Sequence, residues 1–310
     1  MCNRLTKWIV DYFRIIFLGA IIWWLLFSEI LKITYDRLTP LIIVLMYLWS
    51  LDIERKTLWS IKQYRKQITK RYIIMMIILP IIMYYITLWI LWNDIAIWVF
   101  LLSVAPAWIA AVSFTRLMWW NSLLALFLAI ISTITFPFLL PLLSQYILSS
   151  SIDIDSLWML QDLILYCIVP IWLWWITQYY LPRVKNILSP HIDRISIIMI
   201  SLMIAGPVAY NASSFLNLKI SFLLYTVWWL FILSALIHLV GRYTFAHTNK
   251  ENKIAWSLSK WFMNISIVTV IAAQYFSPTV LIIVMLYEFP RDLMLIPFKR
   301  CLKKLPSSLS

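Results

Sequence analysis

Long apolar runs separated by short polar breaks make up almost the whole chain. The runs fall near residues 15–33, 38–51, 72–92, 95–116, 119–147, 157–181, 192–216, 220–245, 254–276 and 279–298. A helix rises about 1.5 Å per residue, so runs of this length predict transmembrane helices, ten in all. The stretch 103–141 is apolar enough to cross a bilayer, yet it is interrupted by Pro106 and then by Ser113, Thr115 and Arg116. Proline removes a backbone donor and crowds the preceding turn, so this helix must kink or unwind. In a membrane the freed backbone groups are tolerated only where protein or a cavity encloses them. Secondary transporters build substrate sites at such interruptions, and a plain proline-kinked helix is the other reading.

Composition fixes the class. Hydrophobic residues form 63% of the 310 and charged residues 13%, more apolar surface than one soluble core can bury. The expectation is an all-α polytopic membrane protein. A net charge of +13 invites thoughts of nucleic acid, but its distribution gives another reason for it. With both termini on one side, all of the 26 Lys and Arg except Lys32, Arg37 and Lys219 fall on that side. That asymmetry predicts cytoplasmic N- and C-termini in the cell (inner) membrane and no nucleic-acid partner. Segment 53–71 carries Arg55, Lys56, Lys62, Arg65, Lys66, Lys70 and Arg71 among Leu58, Trp59, Ile61 and Tyr64. It reads as an amphipathic linker on anionic lipids that sets topology. A polar loop at 149–156, with Asp153 and Asp155, divides the chain into 1–148 and 149–310, each with five runs. An odd number of spans per half inverts the second copy, which predicts an inverted repeat. Trp92, Trp158 and Trp256 lie near run ends, where interfacial anchoring is expected, whereas Trp228 and Trp229 are mid-run. The three cysteines and three histidines are dispersed, and the only glycines are Gly19, Gly206 and Gly241. No metal spacing, phosphate loop or nucleophile elbow arises, so neither a cofactor nor an enzyme is expected.

Several stretches carry a resemblance. LTPLIIVLMYLWSLDI and RYIIMMIILPIIMYYI look like second and third helices, and YCIVPIWLWWITQYYLPRV like a sixth helix and its exit. Ala105-Pro106, Thr115, Asn121, Ser132-Thr133, Pro137 and Pro141 fill a fourth-to-fifth helix pattern without a gap. Asn264-Ile-Ser, with Tyr275-Phe276 further on, looks like a ninth helix. Together they resemble the bile acid:sodium symporter family. The resemblance implies ten helices in two inverted five-helix repeats, a panel of helices one, two, six and seven, and a core of the other six. It also implies broken fourth and ninth helices that cross near the midplane, and transport of a small organic anion. The residues it carries over as substrate-binding are Pro106, Ser113, Thr115, Asn121, Ser132, Thr133, Asn264 and Ser266.

The departures fall on the sodium ligands. Family positions with oxygen ligands read here as Met75, Ala111, Val112, Ala125, Ala129, Ser259 and Met263. Sodium is a hard cation that needs several oxygens to replace its water, so sodium binding in the family manner is not expected. Lys260, next to the place of the lost glutamate, suggests a fixed ammonium doing a cation's electrostatic work. Withdrawn from water, it could instead exchange protons; the bland reading is a lysine snorkelling to the headgroups. Arg116 offers a guanidinium for a substrate carboxylate or a cytoplasmic anchor. Glu288 and Arg291, three apart, form a structural ion pair or part of a proton relay. The function expected is a secondary transporter of a small organic anion, proton-coupled or facilitative. The alternative is a transport-inactive membrane scaffold, which the scarcity of glycine favours.

Overall fold

The computed structural model describes residues 27–51, 53, 69, 72–108, 111–112, 115, 121–148, 154–244, 250–288, 290–291 and 293. Most of the expected first span and of the basic linker, and the end of the last span, lie outside the described residues.

Helix α1 (Leu38–Leu51) coincides with the second apolar run and carries Pro40 in its first turn, where a missing amide costs nothing. A π-helical turn, Ile74–Ile78, leads into α2 (Leu79–Ile90), so the third run widens just ahead of Pro80. The wide turn lies where the proline ring crowds the backbone. Helix α3 (Asn93–Val104) stops before Pro106, whereas α4 (Ser122–Ile147) continues through Pro137 and Pro141. Helix α5 (Ser156–Tyr180) starts where the Asp155 carboxylate accepts the Leu157 and Trp158 amides at 3.0 and 3.1 Å. A short helix, Pro182–Leu188, precedes α6 (Ile192–Tyr210). Then come α7 (Ile220–Thr244), α8 (Lys250–Trp261), α9 (Ile265–Tyr275) and α10 (Pro278–Leu286).

Helices α4 and α5 and the helical stretch 182–210 are each long and apolar enough to cross a membrane; shorter apolar helices accompany them. Large apolar side chains face outward, among them Trp89, Trp172 and Trp228 at 88%, 59% and 57% exposure, as a lipid-facing surface requires. Inside, α5 packs on α1 and α4, α6 on α1, α2 on α3, and α3 on α10. Helix α8 packs against both α7 and α4, and α9 against α10. Helix α6 meets the turn before α1 at Gly206, where a Cβ would lie 2.7 Å from both Thr34 Oγ1 and the Tyr35 amide nitrogen. Only glycine permits that approach.

One interfacial assignment is corrected. Trp92 and Trp158 are exposed, but Trp256 is buried. Helix α8 begins at Lys250, before the apolar run does, so Trp256 lies well inside a helix that α4 and α7 enclose. Asn211, part of an Asn-x-Ser sequon, is buried at the end of α6 and donates its amide to Pro207 O at 3.0 Å.

Candidate functional site

The break after α3 follows from Ala105-Pro106. A residue before proline is pushed out of the helical region, and Ala105 adopts φ −53° and ψ 140°. Its amide still closes the last turn, donating to Leu101 O and Leu102 O at 3.0 and 3.2 Å. The next amide, that of Ala107, would continue the helix by bonding to Ser103 O. It donates instead to Ser132 Oγ on α4 at 2.9 Å, and that hydroxyl donates to Leu128 O at 2.6 Å. The Ser103 carbonyl, robbed of its helical donor, accepts the ammonium of Lys260.

The second break separates α8 from α9. Asn264, at φ −77° and ψ 85°, caps α9 with its side-chain oxygen, which accepts the Ile267 amide at 3.3 Å. The two unwound segments then pair with each other. Trp108 N–H donates to Phe262 O at 2.7 Å and Asn264 N–H to Pro106 O at 2.8 Å. They form an antiparallel bridge between Ala107 and Met263. Backbone groups freed by one break thus satisfy those freed by the other, as burial demands. Neither break contains glycine; a proline follows the end of α3 and an asparagine cap starts α9 instead.

Of the substrate positions expected from sequence, Pro106, Ser132 and Asn264 meet at this crossing. Thr115 and Thr133 are engaged close to home. Thr115 donates to Ala111 O and Val112 O at 2.9 and 2.8 Å, and Thr133 donates to Ala129 O at 2.8 Å. Asn121 caps α4 by accepting the Leu124 amide at 3.0 Å and donates to Asn252 Oδ1 at 2.8 Å, joining the starts of α4 and α8. Ser266 lines a separate crevice with Met203, Ile204, Thr269 and Glu288. Ser113 and Arg116 lie outside the described residues.

Met75, Ala111, Val112, Ala125, Ala129, Ser259 and Met263 are all buried. Among them Ser259 carries a hydroxyl, which finds no hydrogen-bond partner among the described residues. With Met75, Tyr72, Ser132, Trp256 and Lys260 it lines a small cavity whose space suits a water-sized ligand. Lys260 is only 4% exposed. Its ammonium turns inward to Ser103 O and lies 3.9 Å from Met76 Sδ, so it does not snorkel to the headgroups. No carboxylate among the described residues pairs with it. Lys260 stands in the last turn of α8 and reaches the last turn of α3, so two helix C-termini face one cation. Such ends contribute about 0.3–2 kcal/mol each, whereas burying an ion costs several kcal/mol even after relaxation. The charge is therefore only partly offset.

On another side of the crossing, the Arg291 guanidinium pairs with the Glu288 carboxylate. It also lies 5.7 and 5.9 Å from the ring centroids of Trp108 and Phe262, one residue from each unwound segment. Sequence spacing brought Glu288 and Arg291 together but could not supply the rings, which are far away in the chain. Ser103 was also missed, although Ala105-Pro106 was the signal for it: a proline orphans carbonyls in the turn before it, and something must donate to them.

A sequence profile of the Sodium Bile acid symporter family matches residues 39–218. No curated protein matches the chain. The matched stretch holds α1 from its second residue, the break after α3 and all of α4 to α6, more than half of the sequence. On that match the chain belongs to the Sodium Bile acid symporter family, a family of membrane transporters, and with its apolar helices it is a multi-pass membrane protein.

Proposed function

We propose that this protein is a secondary transporter of a small organic anion that works without the family's sodium sites, by proton coupling or by facilitated diffusion. The observation that carries the proposal is the Lys260 ammonium, buried on the Ser103 carbonyl and lining one cavity with Met75 and Ser259, two of the positions that the resemblance gives to sodium ligands. A fixed cation repels a second one and leaves apolar Met75, Ala111, Val112, Ala125, Ala129 and Met263 with no ion to ligate. It also neutralises part of an approaching anion's charge, which is what a bound cation does in a coupled carrier. The wider arrangement proposed is two inverted five-span repeats, 1–148 and 149–310, with panel and core subdomains and cytoplasmic termini in the cell membrane. The pairing of two interrupted helices at Ala107 and Met263 supports it. Pro106, Ser132 and Asn264 form the proposed centre of the substrate path, with Ser113, Thr115, Asn121, Thr133 and Ser266 flanking it. Arg116 and Glu288 are further coupling groups.

The test is uptake of labelled organic anions into vesicles reconstituted with the purified chain, under sodium or potassium gradients and at two pH values. Saturable uptake that is indifferent to sodium is expected. Sodium-driven uptake would overturn the loss of the sodium sites. Absence of flux for every anion, from protein shown to be folded, would favour the transport-inactive scaffold.

A further inference from the structure

We infer that the cavity beside the crossing is a site for one small monovalent anion, held between the ammonium of Lys260 and the hydroxyl of Ser259. The inference rests on the reading that Lys260 stands in for a coupling cation, and it names what that charge pairs with. An ammonium has three donors. One goes to Ser103 O and one points weakly at Met76 Sδ, and no carboxylate among the described residues meets the charge. Ser259 lines the same cavity with a buried hydroxyl that has no partner among the described residues. Other buried hydroxyls, those of Ser144, Ser196 and Ser234 among them, also lack a partner among the described residues; Ser259 differs from these in lining a cavity together with a buried ammonium. The cavity's other hydroxyls are already engaged, Tyr72 with Thr135 and Ser132 with Ala107 N–H and Leu128 O. Met75, Leu128 and Trp256 complete an apolar wall.

The side chains of Lys260 and Ser259 thus line one space of water size, one bringing a positive charge and the other a hydroxyl. One negative charge is neutralised there; a dianion would keep a surplus charge against apolar walls. A second cation is repelled. The size admits a halide or the oxygen edge of a carboxylate, so the ligand is either a free halide or the head of a carried organic acid.

The experiment is thermal unfolding of the detergent-purified full chain, titrated with potassium chloride or potassium formate. A bulky potassium sulfonate holds ionic strength constant. A saturable rise in the midpoint is expected, since a ligand that binds only the folded state stabilises it by mass action. Lys260→Gln, which keeps a donor for Ser103 O, should weaken the apparent affinity about tenfold or more. Ser259→Ala, whose hydroxyl holds no partner among the described residues, should weaken it about two- to tenfold. A response to formate alone assigns the site to a carboxylate head and a response to chloride alone to a free halide; a response to both makes it open to either. No saturable response, or equal affinity in Lys260→Gln, overturns the inference. If Lys260→Gln does not fold, unchanged affinity in Ser259→Ala overturns it instead. Vesicle uptake is read in parallel. Lysine-dependent stabilisation without organic-anion flux would sink the transport reading and leave the site standing, and flux without stabilisation would do the reverse.

Discussion

Substituting Ser132 by alanine should fall almost entirely on one amide. Ser132 Oγ accepts Ala107 N–H at 2.9 Å and donates to Leu128 O at 2.6 Å. The Leu128 carbonyl lies within α4 and keeps its helical donor, so it loses little. The Ala107 amide has nowhere else to go, because its helical acceptor, Ser103 O, is held by Lys260. A buried amide left unpaired costs about 1–3 kcal/mol. That loss is expected in the unfolding free energy, measured by denaturing-detergent titration in mixed micelles. Thr133→Ala is the control. Its hydroxyl donates only to Ala129 O, a carbonyl inside the same helix, and the expected change is below about 0.5 kcal/mol. Combining Ser132→Ala with Lys260→Met frees both the Ala107 amide and the Ser103 carbonyl, which are ordinary partners in one helical turn. The double variant should therefore lose less than the sum of the singles, by about 0.5–3 kcal/mol. Additive losses, or a Ser132→Ala cost no larger than that of Thr133→Ala, would show that the break is not held this way.

Gly206→Ala would bring a Cβ to 2.7 Å from Thr34 Oγ1 and from the backbone at Tyr35, which cannot yield like a side-chain tip. A loss of about 1–3 kcal/mol is expected, and an unchanged thermal midpoint would contradict the close packing. Asn264→Ala removes the α9 cap and should cost about 0.5–2 kcal/mol; Asn264→Ser, which can still cap, should recover most of it. Equal stability of those two variants in detergent titration would argue that the side chain does not hold the second break. At the far end of α9, Tyr275 donates to Asp162 Oδ2 at 2.6 Å and Tyr166 to Gln274 Oε1 at 3.0 Å. The Tyr166 hydroxyl also pairs with Thr39 Oγ1 at 3.2 Å, and a bond to a charged acceptor is worth about twice a neutral one, so Tyr275→Phe and Tyr166→Phe should destabilise to within about 1 kcal/mol of each other; a larger gap in detergent titration would refute that.

What the sequence displayed is uneven, for physical reasons. Helices α1 and α5 match their apolar runs to within a residue, because a polar boundary against lipid leaves little choice of where a span ends. The first break was visible in Ala105-Pro106 itself, through a local steric rule. The second was expected through the family resemblance alone: it contains no proline, and an asparagine cap reads as any other polar residue until the chain around it is known. Helix α8 starts four residues before its apolar run, because its first turn uses the polar residues Lys250 to Lys253. The burial of Trp256 and Lys260 was illegible for a deeper reason. Hydropathy separates apolar from polar, but not a face turned to lipid from one turned to α4 and α7. The cation–π contacts of Arg291 with Trp108 and Phe262 arise only from tertiary folding.

The bridge at Ala107 and Met263 uses main-chain atoms alone. Its geometry is thus encoded apart from the chemistry around it. A lineage can replace an ion-liganding oxygen by a methyl or a thioether, one codon at a time, and each intermediate still keeps its crossing. Steps that strike the bridge itself are few: an imino acid at position 108 or 264 deletes one of its donors, while the Ser132 hydroxyl and the Asn264 side chain, which hold the flanking amides, must be kept. Such a scaffold tolerates drift in its ion chemistry while staying folded, which opens a route from one coupling mode to another without passing through a broken protein.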